Sequence, residues 1–153
     1  MLALLLLLSI SAFGAELRVV VVRVTDGGTI VVKVGADQHK IRLSGVDAPE
    51  LAQEFGKQLR ANLAGLVDGK QVVIVWPKRD GYGRLLGAVL LGSMNINLEQ
   101  MKAGCAWYFK RYAAGVPEIE RVQYEAAEAE SREAKHVLWQ QQQAMPPLEW
   151  LHW

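Results

Sequence analysis

Three apolar segments in the first third of the chain, separated by two turn signals, constrain the fold most. Leu17 to Val24 is almost continuously apolar and rich in valine, with Arg18 and Arg23 near its ends. That is the pattern of a buried strand. Asp26-Gly27-Gly28 marks a turn, and Thr29 to Val34 resumes the strand pattern. After Gly35-Ala36-Asp37, Gln38 to Leu43 alternates, with Ile41 and Leu43 on one face and Lys40 and Arg42 on the other. Three consecutive strands joined by tight turns form a meander, so the chain begins as a β protein.

The middle and end of the chain add helices. Ser44 to Glu50 reads as a loop, and Pro49 lies close to the start of a helical stretch, where its missing N–H costs little. Leu51, Phe55, Leu59, Leu63 and Leu66 have helical spacing, which predicts a helix over 51–67. Gln71 to Trp76 and Arg84 to Leu91 read as a fourth and a fifth strand, separated by the turn Arg79-Asp80-Gly81-Tyr82-Gly83. A short helix with Ile96, Leu98 and Met101 follows, then an aromatic, basic and irregular segment over 106–115. A last helix opens at Pro117 and runs to about Lys135, with Ile119, Val122, Ala126 and Ala129 assigned to its inner face. The order β-β-β-α-β-β-α-α predicts an α+β fold, mainly β: a five-stranded OB-type barrel with about three helices packed outside.

With 153 residues, one domain is expected, over 15–139. The run from Met1 to Phe13, followed by small residues at Ala12 and Gly14, predicts a signal peptide over 1–14, cleaved before Ala15. No Lys or Arg precedes that run, and an uncleaved anchor is the alternative. The expected location is secreted or periplasmic, with no membrane partner after cleavage, and the expected state is a monomer. The glutamines after Trp139 and the pair Pro146-Pro147 predict a disordered tail over 140–153. The single cysteine, Cys105, excludes a disulfide within the chain and reads as a small core residue. His39, His136 and His152 are scattered and suggest no zinc site.

The formal net charge is +1, so any phosphate-binding surface must be local. Three segments concentrate the residue types that phosphodiester cleavage needs. They are Val24-Thr25-Asp26-Gly27-Gly28-Thr29, then Ile41 through Glu50, and Asp80-Gly81-Tyr82-Gly83-Arg84. Carboxylates hold a cation or take a proton from water. Arginines match phosphate oxygens in pairs of hydrogen bonds and favour the more negative transition state. Asp26, Asp47, Glu50, Arg42 and Arg84 supply both types. By residue type alone, a shared site and a set of unconnected turn and surface charges remain equal alternatives.

These three segments, in order and at suitable separations, closely resemble the active-site motifs of the staphylococcal-nuclease-like (thermonuclease) family: V-x-D-G-D-T, R-L-x-G-x-D-x-P-E and D-x-Y-G-R. The resemblance spans roughly Leu17 to Trp139, including Asn97, Gly104 and the final helix. It implies calcium-dependent hydrolysis of DNA and RNA, leaving 3′-phosphate ends. It also implies that Asp47 ligates calcium through its carboxylate and Ala48 through its backbone carbonyl. Glu50 resembles the carboxylate assigned to water activation, and Arg42 and Arg84 the phosphate-binding arginines. Tyr82 and Tyr112 resemble nucleotide contacts, with packing as the alternative. Lys110 and Arg111 are candidates for local positive charge on the groove, with solvated surface as the alternative.

One departure matters. The family's first motif carries a second aspartate where this chain has Gly28. That aspartate resembles a direct metal ligand, and calcium affinity depends on ligand charge. Asp26, two residues away, is the candidate for partial compensation. The leading expectation is an active enzyme with weakened calcium affinity. The alternative is an OB-fold module that binds single-stranded nucleic acid or a protein partner without cleaving.

Overall fold

The computed structural model describes residues 9–11, 14–81, 84–113 and 115–152. Its core is a five-stranded barrel. β1 (Ser9–Ser11) pairs with β2 (Gly14–Asp26), which continues into β3 (Thr29–Val34) and β4 (Asp37–Leu43) as the expected meander. β6 (Gln71–Arg79) and β7 (Leu85–Leu91) pair antiparallel, β7 runs parallel to β4, and the short β8 (Met94–Asn95) folds back on β7. Closure comes from β2, whose first half also pairs with β6, from Glu16 opposite Val75 to Val20 opposite Gln71. Two register shifts, between Val21 and Arg23 and between Val24 and Asp26, bend β2 so that it serves both neighbours.

The interior follows from side-chain alternation. Val19, Val21, Val24, Ile30, Val32, Ile41, Leu43, Val72, Ile74 and Val89 are buried and share one cluster. β6 extends past the expected Trp76 to Arg79. Pro77 has no N–H for the ladder, and the register shifts between Val75 and Lys78 around it.

Among the described residues four helices lie outside the barrel: α1 (Gly56–Val67), α2 (Ile96–Lys102), α3 (Glu118–Glu133) and the single-turn α4 (Pro147–Trp150). The helix expected from Leu51 begins only at Gly56. Phe55 sits at φ 65°, a left-handed conformation that no α-helix accommodates, so residues 51–55 form turns instead. α3 also corrects the expected inner face. It buries Tyr124, Ala127 and Ser131, whereas Ile119 and Val122 are 71% and 59% exposed. The 106–115 segment, expected to be irregular, contains β9 (Trp107–Tyr108), which pairs with β5 (Val46–Asp47), and a 3-10 turn over Lys110–Tyr112. A second apolar cluster lies beside the barrel: Leu59, Cys105, Trp107, Leu138 and Trp139. Burial there pushes the Cys105 thiol up to about 12, so it stays protonated. Among the described residues no helix is long and apolar enough to cross a membrane.

One buried side chain joins the barrel to α2 and to the loop after β4. Asn97 is fully buried. Its Oδ1 accepts from Val89 N at 3.0 Å, and its Nδ2 donates to Ser44 O at 3.0 Å and to Gly87 O at 3.3 Å. Asn97→Ala leaves three buried backbone groups without this partner, so it is expected to lower stability by about 3 kcal/mol. Lys102→Ala, at an exposed ion pair of the same helix, should change it by less than about 0.5 kcal/mol. Urea unfolding of both variants checks this, and equal effects would contradict the hub role of Asn97.

Candidate active site

The barrel rim gathers most of the residues singled out in the sequence. Arg42 lies near the end of β4, opposite Thr29 of β3 and Leu86 of β7. Leu43 N donates to Gly28 O at 2.9 Å, which brings the Asp26-Gly27-Gly28 turn beside the strand that carries Arg42. Two residues past the end of β4, β5 holds Asp47 opposite Trp107 of β9. Gly45 N donates to Tyr112 O, and Phe109 N donates to Gly45 O, fixing the Tyr112 turn against the same loop.

These connections place the charges. Arg42 Nη2 lies 3.5 Å from Asp47 Oδ1, and its guanidinium sits over the Tyr112 ring, 4.5 Å from the centroid. Arg42 Nε is buried and has no hydrogen-bond partner among the described residues. Such a donor is costly unless a ligand or water meets it. Arg84 is held by Asp80, whose Oδ2 accepts from Nε at 2.7 Å and whose Oδ1 accepts from the Arg84 backbone N at 2.9 Å. Burial pulls the Arg84 guanidinium down, but hydrogen bonds to Asp80 and Tyr112 outweigh it and its net shift is upward. Tyr112 therefore touches both arginines: its ring supports Arg42 and its hydroxyl meets Arg84.

Asp47 is the electrostatic anomaly. Its carboxyl is raised from 3.8 to about 6, first by burial, with Arg42 opposing the rise and Glu50 and Asp26 adding to it. A neighbouring guanidinium fails to offset desolvation plus two carboxylates. The site thus contains a carboxylate short of positive charge, which fits a cation. All its protein donors are oxygens, which suits a hard ion such as calcium rather than a thiophilic one.

The fit is nonetheless incomplete. Among the described residues no three His, Cys, Asp or Glu side chains converge as a ready metal-holding group. Asp26 Oδ1 accepts from Gly28 N at 2.8 Å, so one of its oxygens serves its own turn. A Cβ built on Gly28 would meet Val46 Cγ1 at 3.4 Å, Ala48 Cβ at 3.6 Å and Asp26 Oδ1 at 3.8 Å. These are ordinary contacts, so a Cβ at this position meets no clash and lies beside Asp26 and Ala48.

The remaining candidates divide. A cleft of about 220 Å³ beside Arg84 is lined by Lys78, Arg79, Asp80, Gly81, Arg111 and Tyr112 among others. Lys110 points elsewhere. It is 78% exposed, lies 3.9 Å from Glu125 of α3, and borders a different cleft with Tyr108 and Arg121. Tyr82 lies outside the described residues. Sequence reasoning did not single out Asp80 as the group that orients Arg84, although the i,i+4 spacing within Asp80-Gly81-Tyr82-Gly83-Arg84 carries that signal.

Residues 40–141 match the family described as staphylococcal nuclease homologue. A relative named uncharacterized endonuclease, from Escherichia coli, is 37% identical over 139 residues, covering 90% of this chain and 87% of its own. A micrococcal nuclease of Shigella flexneri is 34% identical over 158 residues, covering 97% of this chain and 87% of its own. A probable staphylococcal-like nuclease of Oryza sativa subsp. japonica is 34% identical over 118 residues, 77% of this chain and 30% of that relative. With the barrel, the ordered motifs and a match over most of its length, this chain belongs to the staphylococcal nuclease homologue family.

Proposed function

We propose that the protein is a calcium-assisted nuclease that hydrolyses phosphodiester bonds of DNA and RNA with little sequence preference. The observation that carries this reading is the cluster of Arg42, Asp47, Tyr112 and Arg84, with a buried carboxylate short of positive charge. Calcium held by Asp47 and the Ala48 carbonyl would neutralise the phosphate and polarise its bond to oxygen. Arg42 presents its buried Nε to a phosphate oxygen, braced by the Tyr112 ring. Asp80 sets the direction of the Arg84 guanidinium. Glu50 takes a proton from the attacking water. As negative charge grows on the phosphoryl oxygens, Arg42 and Arg84 offset it. None of these groups reads a base edge, which supports broad sequence tolerance. The apolar leader supports action outside the cytoplasm.

Gly28 favours one second reading, a module that binds single-stranded nucleic acid without cleaving it. Incubation of the full chain with single-stranded DNA and RNA, with calcium and then with chelator, separates the two. Cleavage that the chelator abolishes is expected. Retained binding without cleavage at any calcium concentration would replace the nuclease with the binding module. Gly28→Asp is expected to lower the calcium concentration for half-maximal activity, on the order of 10-fold, because it restores one negative ligand. An unchanged calcium requirement would contradict the placement of the cation.

Asp47 gives a stability prediction of opposite sign to its role. Its folded value lies above 3.8, so its contribution to stability is complete below that pH and is lost as pH rises through about 6. At pH 8 the ionised carboxylate costs about 3 kcal/mol. Asp47→Asn is therefore expected to melt about 6–12 °C above the parent protein in calcium-free buffer at pH 8, and to lose cleavage. The difference in melting should shrink at pH 4. A variant that melts lower at pH 8 would show that the Arg42 pairing outweighs desolvation.

A further inference from the structure

The loop that carries Glu50 is tied to the C-terminal segment through one side chain. Gln53 Oε1 accepts from the backbone N–H of Glu50 at 3.2 Å, and Gln53 Nε2 donates to the carbonyl oxygen of Met145. Both ends of this primary amide are therefore committed, one to each segment, across a separation of 92 residues. The backbone of Gln53 closes the same loop. Its N–H donates to Glu50 O at 2.9 Å, and its carbonyl accepts from Gly56 N at 2.9 Å. Gly56 completes the turn by having no side chain: a Cβ there would lie 2.0 Å from Glu50 O.

The C-terminal segment is seated where this contact needs it. Ala144 and Phe55 both pack on the cluster of Leu59, Cys105, Trp107, Leu138 and Trp139. Pro147 is buried at the start of α4. Phe55 has a left-handed backbone at φ 65°, a conformation that costs free energy and persists where packing holds it. The turns over residues 51–55 have no sheet or helix ladder of their own. Their order comes from the Gln53 network on one side and the packed tail on the other.

We propose that Gln53 is a positioning residue for Glu50, and that residues 141–147 form a strap that holds the Glu50 loop through it. This rests on the reading of Glu50 as the carboxylate that takes the water proton. A general base must lie within hydrogen-bond reach of that water, and a misplacement of about 1 Å costs as much as 100-fold in rate. The strap thus makes a segment beyond the three sequence motifs part of what sets the rate.

Two full-length variants test this. Gln53→Ala removes both amide contacts, whereas Ala144→Lys unseats the strap and leaves Gln53 in place. Both are expected to speed amide hydrogen exchange at Glu50 by about 10-fold or more, with exchange in the barrel strands unchanged. Both should lower kcat on single-stranded DNA by about 10-fold, with KM and calcium requirement within about twofold of the parent. Unchanged exchange at Glu50 in Ala144→Lys overturns the strap, whatever the activity, because Gln53→Ala removes the acceptor of the Glu50 N–H directly. Faster exchange with unchanged kcat overturns the positioning role. A parent protein that cleaves nothing with calcium present overturns the nuclease reading and the positioning role with it, and the exchange measurement still decides the strap.

Discussion

Barrel closure by β2 is the constraint on which the other features depend. One strand of 13 residues pairs with β6 through its first half and with β3 through its second, and a sheet closes only if that strand bends. The bend is made by register shifts on either side of Arg23 and Val24. It delivers the Asp26-Gly27-Gly28 turn to the rim rather than extending it into solvent. Gln100 Nε2 then donates to Gly27 O at 2.8 Å, and Arg60 Nε to Val24 O at 2.9 Å, so both α1 and α2 fasten this turn. Parallel pairing of β4 with β7 brings Arg42 and the segment after Asp80 to the same end. Residues from three separate motifs meet because the barrel closes there.

The site built on that rim is organised by electrostatic deficit. Asp47 is buried among Arg42, Glu50 and Asp26, and its carboxyl favours the neutral form up to about pH 6. A protein optimised only for stability would not keep a carboxylate in that position. Arg42 carries a complementary deficit in its unpartnered, buried Nε. A cation and a phosphate supplied together would answer both. Tyr112 couples the two arginines, so displacement of this one ring disturbs both guanidinium groups. Gly28 is the place where the constellation is thinner than its family's motif, and a Cβ added there would make only ordinary contacts.

The barrel was legible because alternation and turn residues act locally. Val21, Ile30, Val32, Ile41 and Leu43 declare their faces within a few residues, and all are buried. Arg42, Asp47 and Arg84 were legible by type, and motif order suggested that they meet. What escaped depended on contacts distant in sequence. Leu51 and Phe55 have helical spacing, yet the left-handed backbone at Phe55 delays α1 to Gly56. Ile119 and Val122 look like an inner face, yet α3 turns Tyr124 and Ala127 inward, with Tyr124 against Gly45 and Tyr108. Lys110 and Tyr112 are near neighbours in sequence and both look like groove residues, but the 3-10 turn sends Lys110 toward α3 and Tyr112 toward the arginines. The link from Gln53 to Met145 gives no sequence signal, because the two lie 92 residues apart.

Asp47 is a buried carboxylate, and we propose that calcium supplies the positive charge it lacks. Carbon-detected NMR titration of the aspartate carboxyl groups measures this at the residue itself, without calcium and with calcium at saturation. A midpoint for Asp47 near 6 is expected in the absence of calcium. Calcium should lower that midpoint by at least about one unit, because it favours the charged form. A midpoint near the ordinary 3.8 without calcium, or one that calcium leaves in place, would contradict it.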